Sequence, residues 1–292
     1  MSTNTKILVT GANGQLGKEF QDIASSYPAF EFTFLTKEDM PIHQFELVRN
    51  FLKTIKPDYC INCAAYTAVD KAESEKELAF QVNGEAVGVL AAVCIEHATK
   101  FIHISTDYVF NGEGAYPYTE NFPTNPINIY GASKLEGEKQ ALQLDPDAII
   151  VRTSWVYSSH GKNFVKTMMR LMSEKAEINV VNDQVGSPTY AADLAEAIMQ
   201  IVIFRSRHLT ISNGGIYNFS NEGVISWYDF ALAIKEITKS NCEVNPIPTS
   251  AFPTPAKRPA YSVLDKTKIQ ETFNIQLKDW KKSLAACMAK MS

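Results

Sequence analysis

Lys6-Ile7-Leu8-Val9-Thr10-Gly11-Ala12-Asn13-Gly14-Gln15-Leu16-Gly17 decides the fold. Lys6 to Thr10 is a short apolar, β-branched run and reads as a strand. Gly11, Gly14 and Gly17 follow at once in a G-x-x-G-x-x-G spacing, and Lys18 to Ile23 reads as a helix. At the first strand–helix junction such glycines permit a tight turn, close approach of backbone to a pyrophosphate, and close helix–strand packing. The helix start then offers unpaired N–H groups and a positive dipole end to phosphates. A plain glycine turn is the competing reading. The position favours a dinucleotide site, with Gly11, Asn13, Gly14, Gln15, Leu16 and Gly17 as its contacts.

Working outward, strands and helices alternate. Glu31–Leu35, Tyr59–Cys63, Phe101–Thr106 and Ala148–Arg152 read as strands, and Gln44–Lys56 and Ala79–His97 as helices. Asn83 is a polar residue inside the second of these helices. Alternation of this kind implies an α/β fold with a parallel, doubly wound sheet of Rossmann type. The second strand ends in Thr36-Lys37, without the acid that grips a ribose 2′-hydroxyl. Lys37 suits a 2′-phosphate, which leans toward NADPH with NADH still open; a solvated loop lysine is the other reading. Asp39 and Met40 are expected to border the adenine. Small residues after the third strand, Cys63-Ala64-Ala65-Tyr66, let a cofactor lie against backbone. The fourth strand carries Ser105, Thr106 and Asp107 at its carboxyl end, where ligands sit in open parallel sheets. His103, inside that strand, reads as a core histidine.

Tyr130-Gly131-Ala132-Ser133-Lys134 is a Y-x-x-x-K. On a helix its tyrosine and lysine share one face. A fixed ammonium beside a phenol favours phenolate and lowers the tyrosine pKa, which suits proton donation to a carbonyl oxygen. Asn111–Asn128, rich in Gly, Pro and Asn, reads as a loop covering the site.

Beyond Ser158 the pattern loosens, so residues 1–157 read as the dinucleotide-binding domain and 158–292 as mainly a smaller substrate lobe that returns in places to the sheet. There Phe164–Lys175, Asp193–Phe204, Ser226–Lys239 and Leu277–Met288 read as helices, with Ser226 as an N-cap, and Ile178–Asn182 and Gly215–Ser220 as strands. Asp183–Thr189 reads as a polar loop, and Asn245–Pro259, with five prolines, as irregular.

The 292 residues are 45% hydrophobic with a net charge of -4 and no long basic run, which argues against nucleic acid as a partner. Five scattered cysteines form no framework, and Cys60-x-x-Cys63 lies in a strand-like run, so a reducing compartment is expected. Met1–Lys6 runs straight into a strand and no apolar run approaches membrane-spanning length. The expectation is a cytoplasmic protein without a membrane partner.

With the glycine loop, Thr106, Tyr130 and Lys134 in place, the chain resembles the extended short-chain dehydrogenase/reductase family. The likeness also runs through Asn62–Asp70, Ser105-Thr106-Asp107-Tyr108-Val109-Phe110, Arg152-Thr153-Ser154-Trp155-Val156-Tyr157 and Lys257-Arg258-Pro259, nearly the whole chain. The Ser105–Phe110 and Arg152–Tyr157 strings are closer to its branch that reduces keto groups on nucleotide sugars. The resemblance implies hydride delivery from NADPH or NADH to the C4 ketone of a dTDP-linked sugar. Tyr130 then protonates the developing alkoxide. Lys134 holds the nicotinamide ribose, and Thr106 bonds the same oxygen as Tyr130. Asp107, Trp155, Asn163 and Arg258 contact the substrate, Trp155 against the sugar, Asn163 and Arg258, with Lys257, near the diphosphate. A surface charge pair is the plain alternative for Arg258. Some relatives are associated with Mg2+, and Glu19 and Asp193 are acids suited to it, although the sequence shows no ligand cluster. A homodimer fits the resemblance.

Competing readings are a 4,6-dehydratase, a 4-epimerase and a non-catalytic regulatory subunit like the β subunit of methionine adenosyltransferase. The dehydratase pattern needs a second acid after the threonine, where this chain has Tyr108 after Asp107. Asp107 and Thr153-Ser154-Trp155 fit the reductase pattern better than the regulatory one.

Overall fold

The first strand, β1 (Thr5–Thr10), is an apolar run buried along Ile7, Leu8 and Val9, as a strand covered on both faces must be. The structure is a computed structural model that describes residues 4–208 and 212–291. Met1, Ser2 and Thr3, which head the segment expected to lead into β1, lie outside the described residues. The glycine loop turns the chain into α1 (Gln15–Ile23), followed by β2 (Phe30–Leu35), α2 (Phe45–Ile55) and β3 (Tyr59–Asn62). The short helices α3 (Val69–Ala72) and α4 (Lys76–Phe80) come next. From α4 the helix runs on through a π-turn at Gln81–Glu85 into α5 (Ala86–Glu96). Then follow β4 (Lys100–Thr106), α6 (Ile129–Leu144) and β5 (Ile149–Thr153).

The remainder comprises β6 (Val156–Tyr157), α7 (Phe164–Glu174), β7 (Glu177–Val181), β8 (Val185–Gly186), β9 (Thr189–Tyr190) and α8 (Ala191–Arg207). After these come β10 (Gly215–Phe219), β11 (Ile225–Ser226), α9 (Trp227–Thr238), β12 (Glu243–Ile247), α10 (Thr267–Phe273) and α11 (Trp280–Ala289).

Six strands form one sheet in the order β2-β1-β3-β4-β5-β10, every pairing parallel. On one face Leu16 and Phe20 of α1 join Leu194, Ile198 and Ile201 of α8. On the other, Val48 and Leu52 of α2 meet Val87, Leu90 and Val93 of α5. The doubly wound α/β expectation therefore holds, and β10 is the late return to the sheet. The strand order reverses beside β1, so the crevice opens above the carboxyl ends of β1 and β3. A second buried cluster gathers α7, α9 and α11 around Val165, Met168, Phe230, Ile234 and Leu284.

Three expectations need correction. Helical residues Lys76–Glu96 are long and apolar enough to cross a membrane by length and composition. In the fold that stretch is a core helix, with Ala86, Val87, Leu90, Ala91, Val93 and Cys94 fully buried. The proline-rich segment is partly regular: β12 carries Pro246 and pairs in parallel with β7, a two-stranded ribbon whose open edge tolerates a missing N–H. The loop expected over 183–189 contains β8, which pairs antiparallel with β11. The Ser226 cap is present as a capping box with Asp229.

Candidate active site

A cavity of about 930 Å³ opens above the carboxyl ends of β1, β3, β4 and β5. The glycine loop forms its floor. Gly11 has φ +65°, and a Cβ there would lie 2.6 Å from the Ala64 nitrogen, so side chains are excluded where the two strand ends meet. Gly14 caps α1 without any side-chain hydrogen bond, and the first turn holds no acid. These features fit a dinucleotide: unblocked helix N–H groups, no competing carboxylate, and backbone close enough to touch. Asn13, Gln15, Leu16, Lys37, Met40, Cys63, Ala64, Ala65 and Tyr66 all face the same cavity. Asp39 does not; its carboxylate accepts from the Thr36 N–H (2.9 Å) and hydroxyl (2.8 Å) and closes the turn after β2. His43, which the sequence did not single out, joins the wall beside Lys37.

The opposite wall is α6. Asn128 caps it through the Gly131 N–H at 2.8 Å, and Glu73 accepts the Ile129 N–H at 2.9 Å. Gly131 lets this first turn press on the chain after β4, because a Cβ there would sit 2.1 Å from the Tyr108 carbonyl oxygen. Tyr130 meets Tyr108 edge to face with centroids 5.5 Å apart. The cavity brings together Thr106, Asp107, Tyr130, Lys134 and Trp155. The Thr106 hydroxyl lies 3.0 Å from Asp107 Oδ1 and accepts the Tyr108 N–H at 3.2 Å.

The titrating groups are displaced mainly by burial. Tyr130 is pushed up to about 12 by desolvation and by Asp107, opposed by a hydrogen bond from Thr106. Burial dominates, so the lowered tyrosine pKa expected from the Y-x-x-x-K spacing is absent in this structure. The Lys134 ammonium nitrogen turns inward, 2.6 Å from the Ile104 carbonyl and 3.0 Å from His103 Nε2. Burial lowers Lys134 to about 7 and raises the Asp107 carboxyl to about 7. Asp107 Oδ2 is buried without a hydrogen-bond partner.

Trp155 holds φ +47°, a left-handed conformation that a bulky residue rarely adopts. It stacks on Trp227 at 3.6 Å, so α9 braces the indole against the cavity. Trp227 escaped the sequence reading because the two indoles are 72 residues apart (227 − 155). Asn83, the polar residue within the long helix, has a role the sequence does not state. It accepts the Tyr66 N–H at 2.8 Å and donates to the Tyr66 carbonyl and Ser133 Oγ, each at 3.0 Å, tying the post-β3 loop to α6. A lone amide in an apolar helix was its only sequence signal.

Other singled-out residues lie off the cavity wall. Asn163 caps α7 and donates to Gln15 Oε1 at 2.9 Å, so it steadies the glycine loop. Arg258 pairs with both Asp70 oxygens at 2.9 and 2.8 Å, the charge-pair alternative. Residues 111–128 pack through Tyr118 and Phe122 beside Tyr261 and Leu264 rather than lining the cavity. Asp193 is engaged by Lys278, Asn221 and Ser283. Glu19 accepts from Ser158 Oγ at 2.6 Å, and although Asp22 and His160 lie near it, His160 is already paired with Asp22. Among the described residues, Glu19 and Asp193 are thus engaged by protein partners and do not share one ligand cluster.

A parallel sheet with a phosphate-ready helix end facing a tyrosine–lysine pair across one cavity is the architecture of the nicotinamide-dependent oxidoreductases, and this chain is of that class. It belongs to the family described as the RmlD substrate binding domain, whose model matches residues 5–292. It is 42% identical over 285 residues to a dTDP-4-dehydrorhamnose reductase of Aggregatibacter actinomycetemcomitans, covering 96% of this chain and 97% of that one. Among solved structures, a dTDP-4-dehydrorhamnose reductase from Clostridium acetobutylicum superposes with a TM-score of 0.93 at 40% identity, over 98% of this chain and 99% of the other. One from Bacillus anthracis, in complex with NADP, superposes with 0.91 at 38% identity, over 99% and 100%.

Proposed function

We propose that this chain reduces the C4 ketone of dTDP-4-dehydro-L-rhamnose to dTDP-L-rhamnose with NADPH, Tyr130 giving the proton. The observation that carries the reading is the convergence of Thr106, Tyr130 and Lys134 on the wall opposite the glycine loop of one cavity. Residues 1–157 hold the cofactor in this reading, and 158–292 mainly form the sugar side.

The dinucleotide would rest on Gly11, Asn13, Gly14, Gln15, Leu16, Met40 and the Cys63–Tyr66 backbone and would supply the hydride, while Gly17, off the cavity wall, lets α1 pack against Gly11 and Ala12. Lys37, with no acid before it on the β2 turn, favours a 2′-phosphate. Burial keeps Tyr130 protonated, so it has a proton to give when negative charge appears on the ketone oxygen. The Thr106 hydroxyl shares that oxygen and stabilises the developing charge. Tyr130 loses its proton to the new alcohol and regains one from solvent. Asp107 and Trp155 shape the sugar pocket. Asn163 acts on the cofactor side, by steadying Gln15, and Arg258 acts on the substrate side indirectly, through Asp70.

The test is loss of absorbance at 340 nm with purified protein, NADPH and dTDP-4-dehydro-L-rhamnose. Stoichiometric oxidation with dTDP-L-rhamnose as product supports the reading. Cofactor binding without turnover would replace it with a non-catalytic, regulatory one.

A further inference from the structure

Behind the cavity runs a buried hydrogen-bond chain from β1 to Lys134. Thr10 Oγ1 meets Asn62 Oδ1 at 2.6 Å, Asn62 Nδ2 meets His103 Nδ1 at 2.9 Å, and His103 Nε2 meets Lys134 Nζ at 3.0 Å. Asn62 and His103 are fully buried and Lys134 is 1% exposed.

The protons in this chain can be counted. Asn62 Oδ1 also accepts the Ala64 N–H at 3.2 Å; reversing the amide would set its NH2 against that N–H. The amide nitrogen therefore donates to His103 Nδ1, which must carry a lone pair. A neutral imidazole then bears its hydrogen on Nε2, facing Lys134. An ammonium has no acceptor, so a charged Lys134 would set N–H against N–H at 3.0 Å. A neutral amine resolves the conflict: it accepts from His103 Nε2 and donates to the Ile104 carbonyl at 2.6 Å.

We propose that His103 is a positioning residue that parks Lys134 as a neutral amine in the cofactor-free enzyme, so that cofactor binding takes up a proton at Lys134. The proton comes from solvent, and the amine becomes the ammonium able to donate to ribose hydroxyls. The inference rests on reading the cavity as a dinucleotide site.

The surroundings agree in sign. Burial drives Lys134 down and His103 well below its usual value, so neither carries charge readily. Two groups favour the charged lysine. Glu138, one turn along α6, is already paired with Arg152 at 2.6 Å, and burial holds the Cys63 thiol protonated. Tyr130, one turn back on α6, is neutral as well.

The experiment is calorimetry of NADPH binding at pH 8 in buffers of differing ionisation enthalpy. Wild type is expected to take up about half to one proton per cofactor, and Lys134→Met none. In His103→Gln the amide oxygen can accept from an ammonium, so Lys134 regains its charge and uptake falls toward zero. Independently, wild-type Kd should weaken above pH 7, approaching tenfold per pH unit, while the His103→Gln curve stays flat. Binding without proton uptake in wild type overturns the inference, as does undiminished uptake in His103→Gln. Absence of any binding would bring down the dinucleotide reading itself, a distinguishable failure.

Discussion

Tyr130 and Lys134 are one helical turn apart on α6, yet they sit in opposite surroundings. Tyr130 looks into the cavity beside Thr106, Asp107 and Tyr108. Lys134 reaches back under β4 to His103 and the Ile104 carbonyl. The spacing puts both on one face, but the atoms each side chain finds decide its charge. The front group keeps its proton because burial disfavours phenolate; the back group is inclined to lose one because burial disfavours ammonium. A motif therefore predicts proximity, and the proton states follow from what surrounds it.

The largest expected effect breaks the front alone. Tyr130→Phe removes the proton donor and leaves the ring in place, so turnover should fall by about 10²–10⁴. NADPH affinity, measured by fluorescence, should change by no more than about twofold, because the back of the site is untouched. Equal losses in turnover and affinity would mean that the two regions are not separable.

A second variant tests what holds front and back in register. Gly131→Ala puts a methyl where the Tyr108 carbonyl oxygen sits 2.1 Å away, and backbone cannot step aside cheaply. A stability loss of about 3 kcal/mol is expected from denaturant titration. A loss under about 0.5 kcal/mol would show that α6 can shift against the chain after β4.

How much of this was legible beforehand depends on range. The glycine loop, the alternating strands and the Y-x-x-x-K are local patterns, and each lies where its spacing implied. His103 read correctly as buried, but its contact with Lys134 spans 31 residues and no local pattern carries it. The same holds for Asn83 with Tyr66, and for Asp70 with Arg258, 188 residues apart. Pro246 misled for a related reason, since a proline is tolerated or not according to which edge its strand presents. That is a property of the ribbon rather than of the segment.

The front region also makes a prediction about pH. Asp107 has a folded pKa of about 7 against 3.8 unfolded, so the folded chain holds a proton the unfolded chain has released. Stability on this account falls as pH rises from about 4 to 7, and the full cost remains above 7. Asp107→Asn removes the ionisable group, and its amide oxygen can still accept from the Thr106 hydroxyl. It should stabilise the protein above pH 7 by on the order of 1–2 kcal/mol, with the gain shrinking to nothing below pH 4. A gain independent of pH would assign the effect to packing instead of ionisation.

The smallest effect is expected at the outer rim of the front. Asp70 is 42% exposed at its side chain and Arg258 20%, so their bidentate pair is partly screened. The Arg258 guanidinium holds the Asp70 carboxyl below its usual value, so the pair weakens only once the pH drops into the carboxylate range. Asp70→Asn should therefore cost no more than about 1 kcal/mol of stability near neutral pH. Its sharper consequence concerns Arg258, which loses its charged partner and keeps the Ala256 carbonyl at 2.8 Å. If the pair positions the sugar side, KM for the nucleotide sugar should change several-fold while kcat and NADPH affinity hold. Steady-state kinetics with each substrate varied in turn make the comparison. A change in NADPH affinity instead would move the pair to the cofactor side and redraw the boundary between the two regions.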